Sequence, residues 1–367
     1  MPVVLSLMCN LAFGWGRTGH QIINSNFEAY LPPSLHLIAD KYSYYVAHAS
    51  DADYRKSSDP SESPKHFIDI DYYPEFSQRL LSHNYDSLCA KYGASTVLEK
   101  GTLPWAISSA YNMLTVYMEN HDWDEADRVI ADLGHYIGDA YQPLHCTENY
   151  DGTMTGNRGI HSRFESGLLD SYQGSVVMKE GTAEKLDASA LEFAFRVIAE
   201  SNSRVGAIMS ADSYAKGVDP SFGSAYYSAM WSMLDTLMNA QLNAASKALA
   251  SLVYSAWLDA GSPSLTGIAT PTVPSGYLIS DLYPNPFNPA TNLNITAPMG
   301  SRKSSAVLSI YSSDGRLVRR EDLALAPGAN RLHLDFSRYA SGMYILVLGM
   351  DGSGIRHLYA LKAVYLK

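Results

Sequence analysis

Nine of the eleven histidines in this 367-residue chain lie between His20 and His161, well under half of its length. His135 and Asp139 stand four apart in "DLGHYIGDAYQPLH", so on a helix both side chains leave one face, and His145 follows just past Pro143. "GIHSRFE" repeats the spacing with His161 and Glu165, and "KHFIDID" adds His66 upstream. An imidazole and a carboxylate at i, i+4 can close on one metal ion without straining the backbone. One such pair is more often a solvated helix contact or a cap. Two pairs with further histidines beside them make a metal centre the better reading. His36, His48, His83 and His121 show no such spacing and read as structural or surface residues.

The first pair needs a helix to carry it, and Val129, Ile130, Leu133 and Ile137 supply the apolar stripe, with Pro143 as the stop. Gly134 and Gly138 each weaken such a helix by roughly 1 kcal/mol relative to Ala, which close approach of backbone, metal or a packed helix would explain. "LEFAFRVIAESNSRVGAIMS" and the long "SAYYSAMWSMLDTLMNAQLNAASKALASLVYSAW" have the same helical character, so residues 15–260 read as an all-α bundle. The tyrosines near 42–45 and 72–73 fit core or rim better than a stacking platform. A 46% hydrophobic content suffices for a sizeable core, and the length points to two domains. A net charge of −10 leaves the whole chain without an electrostatic footprint for duplex nucleic acid.

The opening MPVVLSLMCNLAFG, residues 1–14, has the length of a signal-peptide core, and Ala12 and Gly14 stand at −3 and −1 of a cut before Trp15. It falls short of the ~20 residues that span a bilayer. No Lys or Arg precedes the apolar core, which places the true start upstream. Cys9 falls within this segment, and Cys89 and Cys146 could pair in an oxidising compartment. Residues 261–277, rich in Ser, Thr, Pro and Gly, have linker composition. From 278 to 367 the chain alternates in twos around an Asp314-Gly315 hairpin signal, which predicts a small all-β sandwich. By shape alone such a tail could be a carbohydrate-binding or spacer module. "LYPNPFNPATNLNI", "IYSSDGRLVRR", "LDFSRYASGMYILVL" and a final lysine resemble, in that order, the C-terminal sorting domain of type IX secretion cargo. That resemblance implies passage to the periplasm, then export across the outer membrane by the type IX machinery to the surface or the medium.

Residues 15–170 in turn resemble the superfamily of zinc-dependent phospholipases C and single-strand-specific zinc nucleases, with seven elements in the family's order. The resemblance implies an all-α scaffold holding three zinc ions. One would be chelated by the free α-amine and carbonyl oxygen of Trp15, with His20 and a bridging Asp139. Asp53, His66, His135 and Asp139 would hold the second, and His145, His161 and Glu165 the third. Asp53 is preferred to Asp51 because the Ala-Asp of "ADYR" fits the motif better; on an extended stretch the other side chain would point away. Zinc with open coordination positions lowers the pKa of its water toward ~7, and such a cluster suits hydrolysis of a phosphodiester. Asp53 would then be both ligand and orienting group for the attacking water. Arg55 or Lys56 would reach a phosphate oxygen, or else stand as a solvated charge.

The two branches of the superfamily leave mixed marks here. "HSRFE", ending in Glu165, and the short gap from His145 to His161 are similar to the phospholipases, as is Tyr54, which matches a headgroup-contacting tyrosine. "WGRTGH" and "HFID" look like the nuclease versions, in which the residues matching Phe67 and Asp69 help hold a base; plain packing beside His66 explains Phe67 equally well. The expectation is therefore a secreted, phospholipase C-like zinc phosphodiesterase. A single-strand-specific zinc endonuclease or 3'-nucleotidase is the alternative, and a non-catalytic, zinc-stabilised surface binding protein is an alternative of another class.

Overall fold

The computed structural model describes residues 15–265, 278–280, 282–297, 304–313, 315–352 and 355–367. The expected signal peptide and most of the expected linker lie outside them. The chain divides into two compact units, one comprising the chain up to Ile107 with Ile130–Leu252, the other Ser108–Val129 with Val253–Lys367.

The first unit is helical, as expected. Its N-terminal helix, Gly16–Asn26, buries His20, Ile23 and Asn24. The central helix, Trp123–Tyr141, opens with Asp124 and Glu125 in its first turn, where carboxylates complement the helix dipole. It buries the anticipated Val129, Ile130, Leu133 and Ile137 and ends two residues before Pro143. Gly134 and Gly138 are explained by close packing. A Cβ on Gly134 would collide with Asn24 and Leu249, and one on Gly138 would stand 3.0 Å from His20 Nδ1. The N-terminal helix thus lies against the central one, and Asn24 Nδ2 fastens it by donating to Tyr45 O and Ala131 O, both at 3.2 Å.

Ser224–Asp259 is one helix of 36 residues, about 54 Å long, with a buried stripe through Met230, Leu234, Met238, Leu242, Ala245 and Leu249. "LEFAFRVIAESNSRVGAIMS" forms two helices, Ala190–Asn202 and Val205–Val218. Ser189 caps the first by accepting from Glu192 N, and Asn202, at its other end, spends its side chain on Cys146 O. Cys89 and Cys146 are both free thiols, so the possible pairing is not made. Among the described residues no helix is long and apolar enough to cross a membrane.

The β-strands of the second unit form two antiparallel sheets, in the orders β1-β2-β5 and β4-β3-β6-β7. The strands are β1 Leu278–Ile279, β2 Ala290–Ala297, β3 Ser304–Ser312, β4 Leu317–Leu325, β5 Gly328–Asp335, β6 Gly342–Gly352 and β7 Ile355–Tyr365. Leu293 and Ile295 from one sheet share a core with Leu308, Ile310, Leu346 and Leu348 from the other, so the strands form a sandwich. β3 and β4 pair antiparallel across the expected hairpin; Gly315 takes φ +74°, and Asp314 lies outside the described residues.

Candidate metal centre

Every candidate ligand lies in the helical unit, and each sits where a local feature aims it inward. His135 and Asp139 share the inner face of the central helix. His145 lies in the single turn Pro143–Cys146 and His66 in the turn Ser63–His66. The two turns are joined by Ile68 N donating to His145 O at 2.9 Å and by Thr147 Oγ1 donating to Asp71 at 2.6 Å. His161 lies in the short helix Ile160–Ser162, which widens into a π-turn over Arg163–Leu168 that carries Glu165. Three sets of donor atoms gather: His20, His135 and Asp139; Asp53, His66 and His135; and His145, His161 and Glu165. Within each set the donor atoms lie no more than 4.8 Å apart, and all these residues are buried.

Asp139 sits between the sets, with Oδ1 3.5 Å from His20 Nε2 and 3.4 Å from His145 Nδ1, and Oδ2 3.0 Å from His66 Nδ1 and 3.4 Å from His135 Nε2. His145 Nε2 and His161 Nε2 are 3.1 Å apart, and His161 Nε2 lies 2.8 Å from Glu165 Oε2. Two nitrogens about 2.0–2.1 Å from one tetrahedral ion stand about 3.3–3.4 Å apart, so the observed spacings are those of donors sharing an ion. The hydrogen-bond arrangement points the same way. His135 and His145 donate their Nδ1–H to Ala49 O and His66 O, which leaves both Nε2 lone pairs facing the cluster. Both ring nitrogens of His20, His66 Nε2, His161 Nδ1 and Asp139 Oδ1 are buried without a hydrogen-bond partner. Buried polar atoms are seldom left so, and a bound cation would satisfy the inward-facing ones. The residues fit a zinc cluster.

Electrostatics agree. Burial opposes a charge on His135, but Asp53 and Asp139 outweigh it and lift its pKa to about 9, while burial and the neighbouring His135 press His20 down to about 3. Asp53 and Asp139, despite burial, are held well below the usual carboxylate range, chiefly by His135. Without a metal, the negative charge of Asp53 and Asp139 is thus met by a proton on His135, which a bound cation would displace to free the Nε2 lone pair.

Asp53, not Asp51, joins the cluster, but the stretch is a helical turn, Asp51–Arg55, and not extended. Two residues apart on a helix still diverge, by ~200°. The Asp53 side chain is 2% exposed, whereas that of Asp51 is 41% exposed and pairs with His48 at 2.7 Å. Lys56 Nζ reaches Asp53 Oδ1 at 2.6 Å. Arg55 is turned elsewhere, its guanidinium 2.9 Å from Asp132 and 3.3 Å from Glu62, so its charge is already engaged. Tyr54 is 57% exposed beside Asp53. Phe67 is half-buried, and Asp69 is buried with Lys100 Nζ at 3.3 Å. Trp15 is fully buried against Phe164, its carbonyl accepting from Gly19 N; the adjoining Gly16, at φ +53°, packs on Glu165 and Ser166. Sequence reasoning passed over Gln142, whose Nε2 lies 3.4 Å from Glu165, and Glu62, four residues before His66. The i, i+4 spacing that marked the other pairs, read backwards from His66, would have found Glu62.

Residues 281–357 match the family described as the secretion system C-terminal sorting domain. The chain is thus a cargo of type IX export, delivered to the cell surface or secreted. It is 28% identical over 166 residues to Nuclease S1 of Aspergillus oryzae, an alignment covering 43% of this chain and 52% of that protein, so the chain spans about half the length of this curated relative. This relative agrees with the nuclease side of the resemblance read from the motifs. Among solved structures, the alpha-toxin of Clostridium perfringens from an avian strain aligns over 94% of this chain and 97% of its own, with TM-score 0.43 and 12% identity. The alpha toxin of Clostridium absonum aligns over 95% and 98%, with TM-score 0.40 and 13% identity.

Proposed function

We propose that residues 15–260 form a zinc-dependent phosphodiesterase, phospholipase C-like, and that residues 278–367 serve as its export address. The observation that supports it best is the convergence of three buried donor sets whose inward nitrogens meet only one another and the cluster's carboxylates. Trp15 through its freed amine and carbonyl oxygen, His20, Asp53, His66, His135, Asp139, His145, His161 and Glu165 would hold up to three zinc ions. Bound zinc would supply a water acidic enough to attack at neutral pH and positive charge to the phosphate oxygens. Asp53 would orient the attacking water, and Lys56, held against it at 2.6 Å, would offer an ammonium to the phosphate. Phe67 and the Asp69–Lys100 pair line the chain just past His66, and Tyr54 offers an exposed ring just past Asp53.

Glu165 and the short gap before His161 favour a phospholipid substrate. The similarity to a nuclease favours the second reading, single-stranded nucleic acid. The test is zinc per chain on the purified mature protein, with phosphatidylcholine, other phospholipids and single-stranded DNA assayed side by side. Fewer than two zinc ions per chain, or no phosphodiester cleaved, overturns the enzyme reading and leaves a zinc-stabilised binding protein. His135→Ala should abolish both zinc stoichiometry and turnover, since His135 belongs to two donor sets.

A further inference from the structure

Glu62 belongs to none of the donor sets, yet its side chain is 3% exposed and forms the hub of a polar cluster behind His66. The Tyr136 hydroxyl and the Arg55 guanidinium both donate to Glu62 Oε1, Arg55 at 3.3 Å, and Lys65 Nζ donates to Oε2 at 3.0 Å. The other arm of Arg55 pairs with Asp132 at 2.9 Å. Each member stands beside a candidate ligand in sequence. Arg55 is two residues past Asp53, Tyr136 is next to His135 with Asp132 a turn earlier, and Glu62 and Lys65 bracket the approach to His66. Three separate segments supply the Asp53–His66–His135 set, and this cluster ties them together from the side away from the donor atoms.

The ring of His66 shows what the tie accomplishes. Its Nδ1 faces Asp139 Oδ2 at 3.0 Å, His135 Nε2 at 3.0 Å and Asp53 Oδ1 at 3.6 Å, while its Nε2 makes no hydrogen bond and stands 3.6 Å from Glu62 Oε1. His135 and His145 have their outer nitrogens fixed by backbone carbonyls; His66 has a carboxylate in that place. We propose that Glu62 is a positioning residue of the centre: it takes the Nε2–H of His66, fixes that tautomer, and so leaves the Nδ1 lone pair aimed at the donor set. The inference rests on the metal reading above and adds a residue that neither the motifs nor the donor sets include.

The experiment compares the intact wild type with Glu62→Gln and Glu62→Leu. Zinc affinity is measured by chelator competition, and the tautomer of His66 by ring-nitrogen NMR on the zinc-loaded protein. Loss of an outer hydrogen-bond partner typically weakens metal binding about 10–100-fold. Glu62→Leu should lose that much for at least one zinc ion, and Glu62→Gln, which keeps an acceptor oxygen, should fall closer to wild type. His66 in the wild type should carry its proton on Nε2. Wild-type affinity in Glu62→Leu, or a proton on His66 Nδ1, overturns the proposal. If Glu62→Leu does not fold, Glu62→Gln and the wild-type tautomer decide. A wild type that takes up no zinc would sink the metal reading itself, whereas full zinc uptake with unchanged affinity in Glu62→Leu would overturn the role of Glu62 alone.

Discussion

Gly138→Ala sets two effects of similar size against each other. An alanine inside a helix gains about 1 kcal/mol over glycine. At Gly138, however, the new Cβ would stand 3.0 Å from His20 Nδ1, 3.1 Å from Ile23 Cδ1 and 3.2 Å from His20 Cε1, so His20 must yield by a few tenths of an ångström. Overpacking of this kind costs about 1–3 kcal/mol, which leaves a net loss of about 0–2 kcal/mol. At about 2–4 °C per kcal/mol for a domain of this size, Tm should fall by less than about 8 °C. Metal coordination is stricter, since a site holds its ligand distances to within about 0.2 Å. The expected outcome is a folded protein that keeps one zinc ion fewer after dialysis, read by calorimetry and by elemental analysis of the same sample. Gly206→Ala is the control, because a Cβ there meets nothing within 4 Å; it should leave zinc unchanged and Tm level or slightly raised. Full zinc content at wild-type affinity in Gly138→Ala would refute the assignment of His20.

Three more outcomes can be measured elsewhere in the molecule. Burial lifts the Asp69 carboxyl from its ordinary 3.8 to about 6 in spite of Lys100. The folded chain therefore holds this proton more tightly than the unfolded one, so the contribution is present below pH 3.8 and lost as pH rises through about 6. Asp69→Asn should remove that part of the slope in urea titrations across pH 4–7, and identical slopes in both proteins would refute it. Asp212 is buried among Arg163 at 2.9 Å, Lys216 at 2.9 Å, Asn157 at 2.7 Å and the Tyr226 hydroxyl. Asp212→Ala should cost about 3 kcal/mol in denaturant unfolding, and a loss under 1 kcal/mol would show the cluster to be dispensable. N-terminal sequencing of zinc-loaded protein should begin at Trp15, and a preparation retaining residues 1–14 should hold one zinc ion fewer; full loading of that form would exclude the amine as a ligand.

Periodicity made much of the scaffold readable. Val129, Ile130, Leu133 and Ile137 foretold the buried face of the central helix, and Asp314-Gly315 foretold the β3–β4 pairing, because both are local patterns with one dominant cause. The break between Asn202 and Val205 was not readable: nothing in "AESNSRVG" forbids a continuous helix, and Asn202 is drawn instead to Cys146, 56 positions away. The centre divides in the same way. Spacing found the His135–Asp139 and His161–Glu165 pairs. It could not show that Arg55 turns to Asp132 and Glu62, since that choice is made by a half-buried carboxylate 77 residues distant. The glycines of the central helix were flagged by their cost, and their neighbour across the gap, the helix Gly16–Asn26, emerged only from packing.

The π-turn at Arg163–Leu168 marks where this molecule can absorb a change in length. Such a turn arises where a helix carries one residue more than its regular winding accommodates. Losing that residue would tighten the stretch toward the regular α-winding rather than turn the remainder of the helix by a further ~100°. A deletion after Glu165 keeps the spacing of four between His161 and Glu165, whereas one between them shortens it and draws the carboxylate away from the imidazole. Alignments of divergent copies should therefore place any gap in this segment after Glu165 and none between His161 and Glu165.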